Sequence, residues 1–369
     1  MNKPKKGGRH SRWVKIKAHI AGSSKKRKTL YGVAALFVTY LILMCFFGAI
    51  YQLQHRHDKI ELGTSFTPDV AQDLGVDWKA NYIALLDDLK FRNFRLMSYW
   101  EDSEPTPGNY NFDNLDWQFQ QADMRGAKIS LAIGLRQPRW PECHQPDWAS
   151  QLETTNKALW QQDLNTYIST VVNRYKNNPA LQSWHLENEY FNRNFGSCHD
   201  YSKARLNSEI ALVKKTDPNH PVVITLADQL GFPFFGPFGD ILATSLYRGN
   251  YVKFIGYFPY PIPTYFYSAK AFFIKLLHNK PIYIHELQNE PWGPKPTKEL
   301  TSAEQLHYMS TSRMRGNFNF GIQTGMKKMY FWGAEWWYWR KTHFNDNSQW
   351  ETVRSEMQFA DQQNAQNGY

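Results

Sequence analysis

Three cysteines in 369 residues are too few for a disulfide-dense scaffold. Acidic residues are missing altogether from the first 57 positions, the first being Asp58. Charge of either sign is missing from Thr29 to Gln54. There is no internal repeat, and low complexity is confined to the basic N-terminus. Aromatic residues, by contrast, are abundant, with 14 Trp. That load excludes a disordered chain and requires packing or binding partners for the rings.

The net charge of +10 is misleading. Residues 1–28 carry eleven Lys/Arg and no acid, and the remainder holds 32 basic against 33 acidic residues. Basicity confined to a tail, with a neutral body, argues against a nucleic-acid partner.

The uncharged stretch reads LYGVAALFVTYLILMCFFGAIY from Leu30 to Tyr51. Its 22 residues rise about 1.5 Å each and so cross a hydrocarbon core of about 30 Å. Tyr31 and Tyr51 stand at its two ends, where aromatic rings favour the interface. It is long for a cleaved signal and lacks a small-x-small cleavage site. The reading is an uncleaved signal anchor, with residues 1–28 a cytoplasmic tail, 29–54 the membrane segment and 55–369 an extracytoplasmic domain. The positive-inside rule sets that orientation and implies a single-pass plasma-membrane protein. The linker to the first strand is short. The expected result is a domain whose strand N-termini face the membrane and whose opposite mouth points away.

Beyond residue 60, short apolar runs alternate with helix-like stretches. The runs are Ile60–Ser65, Phe94–Tyr99, Lys128–Gly134, Ser183–Glu189, Val222–Asp228, Ile241–Tyr247, Ile282–Glu286 and Met329–Gly333. Between them lie Trp78–Leu89, Leu115–Arg125, Leu159–Lys176, Ser202–Thr216, Tyr267–His278 and Ser302–Gly321. Eight strands alternating with helices predict an α/β fold, a (β/α)8 TIM barrel behind a single N-terminal transmembrane helix. Gly231–Gly239 is too rich in Gly and Pro for a full fifth helix. The proline-rich segment Gly256–Tyr267 predicts an extended loop, and residues 357–369 a frayed polar end.

Barrel enzymes carry their chemistry at the C-terminal ends of the strands. Two carboxylates stand there: Glu189, directly after Asn188, on the fourth strand, and Glu286 on the seventh. They are 97 residues apart, three βα units, and paired carboxylates suit acid–base and nucleophilic work. Glu187 competes with Glu189 for the acid role, with ion pairing as its alternative. His285-Glu286 lacks the second histidine of a zinc-protease motif. Asp228, Glu101 and Glu335 are either supporting, ligand-binding or catalytic, and structural pairing is the alternative for these acids.

The ordered set resembles the clan A retaining (β/α)8 glycoside hydrolases, of the family 42, 35 and 5 type. In that group an Asn-Glu pair ends strand four and a second Glu ends strand seven. The resemblance implies Glu189 as acid/base and Glu286 as nucleophile. It implies Arg95 beside the nucleophile, Asn188 on a sugar 2-hydroxyl, Tyr247 against the nucleophile and Trp332 stacked under a sugar. SYWEDSEPTPGNYNFDNLDW (Ser98–Trp117) resembles a signature of the family 42 and 35 β-galactosidases, and PRWPE (Pro138–Glu142) has a similar character. Trp140, Trp336 and Asp228 complete the substrate-binding set. The implied reaction hydrolyses a β-linked glycan by double displacement and needs no metal or organic cofactor. Its partners are a carbohydrate and, through residues 29–54, a membrane. A transglycosylase using the same pair and a non-catalytic sugar-binding surface protein are the alternatives. Cys143 and Cys198 sit in loops after strands three and four; a disulfide, a Cys-His zinc site and free thiols are all open. Cys45 falls within the membrane segment.

Overall fold

In the computed structural model, which describes residues 25–193, 195–226 and 238–369, eight parallel strands close into one barrel. They are β1 (Glu61–Ser65), β2 (Asn93–Met97), β3 (Lys128–Ile133), β4 (Leu181–Leu186), β5 (Val222–Leu226), β6 (Ile241–Leu246), β7 (Ile282–Gln288) and β8 (Lys328–Trp332). Each pairs with its sequence neighbour, and β1 pairs with β8 to close the ring. This is the TIM barrel that the alternating pattern predicts.

Strand alternation divides the apolar residues into two layers. Phe94 and Leu96, Ile129 and Leu131, Trp184 and Leu186, and Ile284 and Leu287 join the large core under the helices. Val223, Ala243, Tyr283 and Tyr330 fill the inside near the N-terminal end. One irregularity matters for the site. Thr244 pairs with Ile284, but Ser245 pairs with Glu286, so His285 is an extra residue in β7. A bulge of this kind re-aims the side chain that follows it. Strict alternation would point His285 inward and Glu286 outward; with the bulge both reach the interior.

The helices start where local chemistry satisfies their free N–H groups. Asp77 caps Trp78–Asp87, accepting from the N–H groups of Lys79 and Ala80. Three expectations need correction. The stretch 302–321 is two helices, Ser302–Tyr308 and Thr311–Gln323. Ser310 is extended and caps the second, a start signal hidden inside an amphipathic run. The segment from Gly256 is not one loop. Gly256–Pro259 pairs antiparallel with Gly249–Val252 as a hairpin, and a helix begins at Thr264. The C-terminal end does not fray at 357, because a helix runs from Ser348 to Gln366. Its Asn364 amide holds both backbone groups of Ile60, tying the last helix to the start of β1. Most of Gly231–Gly239 lies outside the described residues, and the expected weak fifth helix with it.

That last helix carries a buried acid. Glu356 is 3% exposed and neither carboxyl oxygen has a partner among the described residues. Burial pushes its pKa up to about 8. The folded chain therefore holds a proton there that the unfolded chain has lost, so stability falls as pH rises from the usual glutamate range to about 8. Glu356→Met is expected to raise stability by about 1–3 kcal/mol above pH 8 and to flatten that dependence. Urea unfolding at several pH values measures both.

Candidate active site

A cleft of about 650 Å³ opens at the C-terminal ends of the strands. Glu189, Glu286, Asn188, Tyr247, Trp332 and Trp140 all line it. Arg95 lies beneath, fully buried on β2. Its guanidinium donates to Glu286 Oε1 at 2.7 Å, to Asn188 Oδ1 at 2.7 Å and to His185 Nδ1 at 2.9 Å. One cation thus fixes side chains of β4, the turn after it and β7 at once. His185 accepts on Nδ1, and burial, with Arg95 and His285 nearby, holds its pKa well below the usual range. It is a neutral spacer in the barrel core.

Glu286 receives a second hydrogen bond at Oε2 from the Tyr247 hydroxyl, 2.7 Å away. Both its oxygens are therefore oriented, one by a cation and one by a phenol. The Tyr247 pKa is pushed up by burial and by the neighbouring Glu286, so the phenol keeps its proton.

Glu189 sits on the sharp turn after β4, where Glu187 and Glu189 both have positive φ, 54° and 41°. Its backbone N–H donates to Thr225 Oγ1 at 2.5 Å. The Ser245 hydroxyl donates to Oε1, and the Asn192 amide to Oε2 at 2.8 Å. Burial first, and then the charge of Glu286, raise its pKa to about 7. Ser245 Oγ also lies 3.1 Å from His285 Nε2. The bulged histidine thereby braces the serine that orients Glu189. Glu187 points elsewhere: it accepts from the backbone N–H groups of Leu135 and Arg136 and pairs with Arg205.

A third carboxylate, which the sequence pattern did not single out, lines the same cleft. Glu142 Oε2 accepts from Asn188 Nδ2 at 2.9 Å and from Arg136 at 3.2 Å. Burial and the nearby Glu189 push its pKa well up. Asn188 is thus clamped between Arg95 and Glu142. One hydrogen of its amide remains for a ligand. The PRWPE segment contained this residue, but nothing in its spacing tells a cleft acid from a loop acid.

Trp332 lines the cleft with the Arg139 guanidinium 4.0 Å from its ring centre. Arg139 is held in turn by Glu290 and Glu335. Glu335 also accepts from the N–H of Thr67, so it is a supporting group. Trp336 does not join the cleft. It is fully buried on the helix Ala334–His343, and its indole N–H donates to Gln305. A helix turns successive side chains by about 100°, so Trp332 at the strand end and Trp336 on the helix face different layers. Glu101 lies outside the cleft and pairs with His144. Asp228 lies outside the described residues.

Trp292 and Phe195 were also not anticipated. The rings of Trp140, Phe195, Trp292 and Tyr247 form a chain with centroid spacings of 5.8, 6.1 and 4.8 Å. Trp140, 67% exposed, stands at its outer end, and Tyr247, bonded to Glu286, at its inner end. Such a strip suits the apolar faces of sugar rings. Among the described residues no group of His, Cys, Asp and Glu is arranged to hold a metal ion.

Cys143 and Cys198 are bonded, with Cα atoms 5.3 Å apart, and join the loops after β3 and β4. Glu142 is next to one of them and Phe195 near the other. The bridge spans 55 residues of sequence, worth about 4 kcal/mol by loop-closure entropy. The double variant Cys143→Ser/Cys198→Ser is expected to lose about 2–4 kcal/mol in urea unfolding, without altering the barrel circular dichroism.

The barrel has the fold of solved (β/α)8 glycoside hydrolases, and part of the chain matches one of their family models. Residues 77–208 match the family model described as beta-galactosidase. That match contains Arg95, Glu142, Asn188 and Glu189 and ends before Glu286. Among solved structures, the beta-galactosidase of the Antarctic haloarchaeon Halorubrum lacusprofundi superposes with a TM-score of 0.55 at 12% identity, covering 82% of this chain and 58% of that one. The exo-beta-1,4-mannosidase Op5Man5 of Opitutaceae bacterium strain TAV5 gives 0.53 at 15% identity, covering 84% and 60%. The beta-galactosidase of Rahnella sp. R3 gives 0.53 at 12% identity, covering 84% and 57%. The chain thus spans well under two thirds of the length of each of these enzymes, and at such identities the likeness is one of fold.

Proposed function

We propose that the chain is a retaining β-glycosidase, with Glu286 as nucleophile and Glu189 as acid/base. The observation that carries this reading is Glu286 oriented at both oxygens by Arg95 and Tyr247, in one cleft with a carboxyl of raised pKa at Glu189. An ion-paired, oriented carboxylate suits attack on an anomeric carbon. A buried carboxyl protonated near neutral pH suits donation to the leaving oxygen. The C1–O bond to the leaving group breaks as Glu286 forms an ester to C1, and the Glu189 proton goes to the departing oxygen. Glu189 then takes a proton from water as that water attacks C1, releasing the sugar and freeing Glu286. Loss of the Glu189 proton in the first step is eased by the Ser245 and Asn192 donors to its carboxylate.

The membrane segment belongs to the same proposal. The helix Lys25–Gln54 contains an apolar span, Thr29–Gln54, long enough to cross a bilayer. We read residues 1–28 as its cytoplasmic flank and residues 55–369 as the extracytoplasmic barrel. Gln52 packs beside Gly325, just before β8 begins, which puts the end of the anchor at the N-terminal end of the strands. The cleft then opens away from the membrane.

The test is a panel of activated 2-fluoro-β-glycosides incubated with the detergent-solubilised full chain, followed by peptide mass spectrometry. The expected result is one glycosyl adduct, on Glu286, from the sugar that the cleft accepts. An adduct on another residue would overturn the assignment. A folded chain unlabelled by every sugar, yet bound by glycans in calorimetry, would favour the sugar-binding reading.

A further inference from the structure

We propose that the helix Thr264–His278 is a second membrane-contacting element, its last turn seated in the hydrocarbon of the outer leaflet beside the anchor. This rests on the anchor reading above and adds to it a lipid-facing surface on the barrel domain itself.

The helix is docked on the apolar span. Gly48 lies against the backbone of Tyr265 so closely that a Cβ there would collide with it. Phe47 stacks on Phe272 at 4.9 Å and meets Phe273 edge-on at 5.0 Å. Gln52 donates to Ser268 at 2.9 Å. Phe47 and Gly48 belong to the apolar run itself. Counted from Leu30, about 20 residues fill the hydrocarbon thickness, which reaches Ile50. A helix packed against Phe47 is therefore packed at membrane depth.

The end of the helix is apolar and, among the described residues, uncovered. Leu276 is 63% and Leu277 54% exposed, adjacent in the last turn. Keeping two neighbouring leucines in water carries an unfavourable hydration cost that contact with lipid removes. That turn lies on the membrane side of the barrel. His278 meets Phe238 shortly before β6, and Pro281, just before β7, accepts from the N–H of Leu242. These are the N-terminal ends of the strands, where the anchor arrives. Lys275 and Lys280 flank the leucines, and their long stems let the ammonium groups reach phosphate headgroups while the leucines stay in hydrocarbon. The apolar face is continuous with the lipid-facing anchor, so lipid is the occupant it fits. Two docked elements, rather than one flexible tether, would fix the tilt of the barrel and hold its cleft clear of the bilayer.

The experiment uses the full chain with Cys45→Ala, reconstituted in phosphatidylethanolamine/phosphatidylglycerol vesicles with the Cys143–Cys198 bridge intact. Single cysteines at Leu276→Cys, Leu277→Cys, Tyr40→Cys in the anchor and Phe254→Cys, in the exposed hairpin after β6 at the opposite end of the barrel, carry an environment-sensitive fluorophore. Nitroxide-labelled lipid is expected to remove about half of the emission at 276, 277 and 40, and little at 254, while iodide in the water quenches only 254. Iodide quenching at 276 and 277, with lipid quenching retained at 40, would overturn the proposal and leave the anchor standing. Lipid quenching absent at 40 would remove the anchor reading and this proposal with it. Positions 276 and 277 shielded from both quenchers would mean a protein neighbour, such as a second copy, and would also overturn it.

Discussion

Glu286→Ala is expected to lower kcat on aryl β-glycosides by about 10⁴-fold or more, since it removes the proposed nucleophile. The cavity left behind is lined by the guanidinium of Arg95 and the phenol of Tyr247. Both are donors, so azide should enter it and restore turnover. Attack from that face inverts the anomeric centre, and the product should be the α-glycosyl azide. The product's anomeric configuration, read by NMR, makes the test specific. A β-azide would assign Glu286 to the other role. Full residual activity without azide would remove it from the chemistry altogether. Arg95 loses its carboxylate partner in this variant, so thermal unfolding should be recorded alongside; a buried unpaired cation costs about 3–5 kcal/mol.

Glu189→Ala should behave differently. With a poor leaving group the loss is about 10²–10⁴-fold, the usual worth of general acid catalysis. With a dinitrophenyl leaving group, which departs without a proton, formation of the intermediate should be nearly unchanged and its breakdown slow. A burst equal to one equivalent of enzyme would show this. Azide should here give the β-glycosyl azide, because it replaces the activated water on the opposite face. The pH dependence supplies a second reading. Burial and Glu286 raise the Glu189 pKa to about 7, so the proton needed for the first step is lost above that pH. For poor leaving groups the wild-type rate should fall about tenfold per pH unit on the alkaline side, and Glu189→Ala should lack that limb. An unchanged alkaline limb in the variant would move the titration to another group, Glu142 being nearest in chemistry and place.

Much of this site can be read without coordinates. Asn188-Glu189 and Glu286 stand at the ends of apolar runs, and a closed parallel barrel brings those ends to one face whatever the loops do. Arg95 lies in the middle of the second strand, and only the family resemblance pointed to it. What cannot be read is which other residues of that face converge. Glu142 and Trp292 lie in loops, where no periodicity fixes the direction of a side chain. Trp336 shows the reverse error. Its place after Trp332 suggests the cleft, but the chain has already turned into a helix, and the rotation buries the ring.

The sequence by itself determined the barrel, its eight strands in order, the apolar span ahead of it and the two strand-end glutamates. Parallel strands covered on both faces must be short, nearly continuous apolar runs, and an uncharged run of bilayer length stands out by composition and length alone. Only the tertiary structure decided the rest. The bulge at His285 turns Glu286 inward, Glu142 clamps Asn188 from a neighbouring loop, and Arg139 lies on the Trp332 ring. Each depends on contacts between residues dozens to hundreds of positions apart. The free energy of such contacts is set by the packed barrel and not by the local run in which each residue sits.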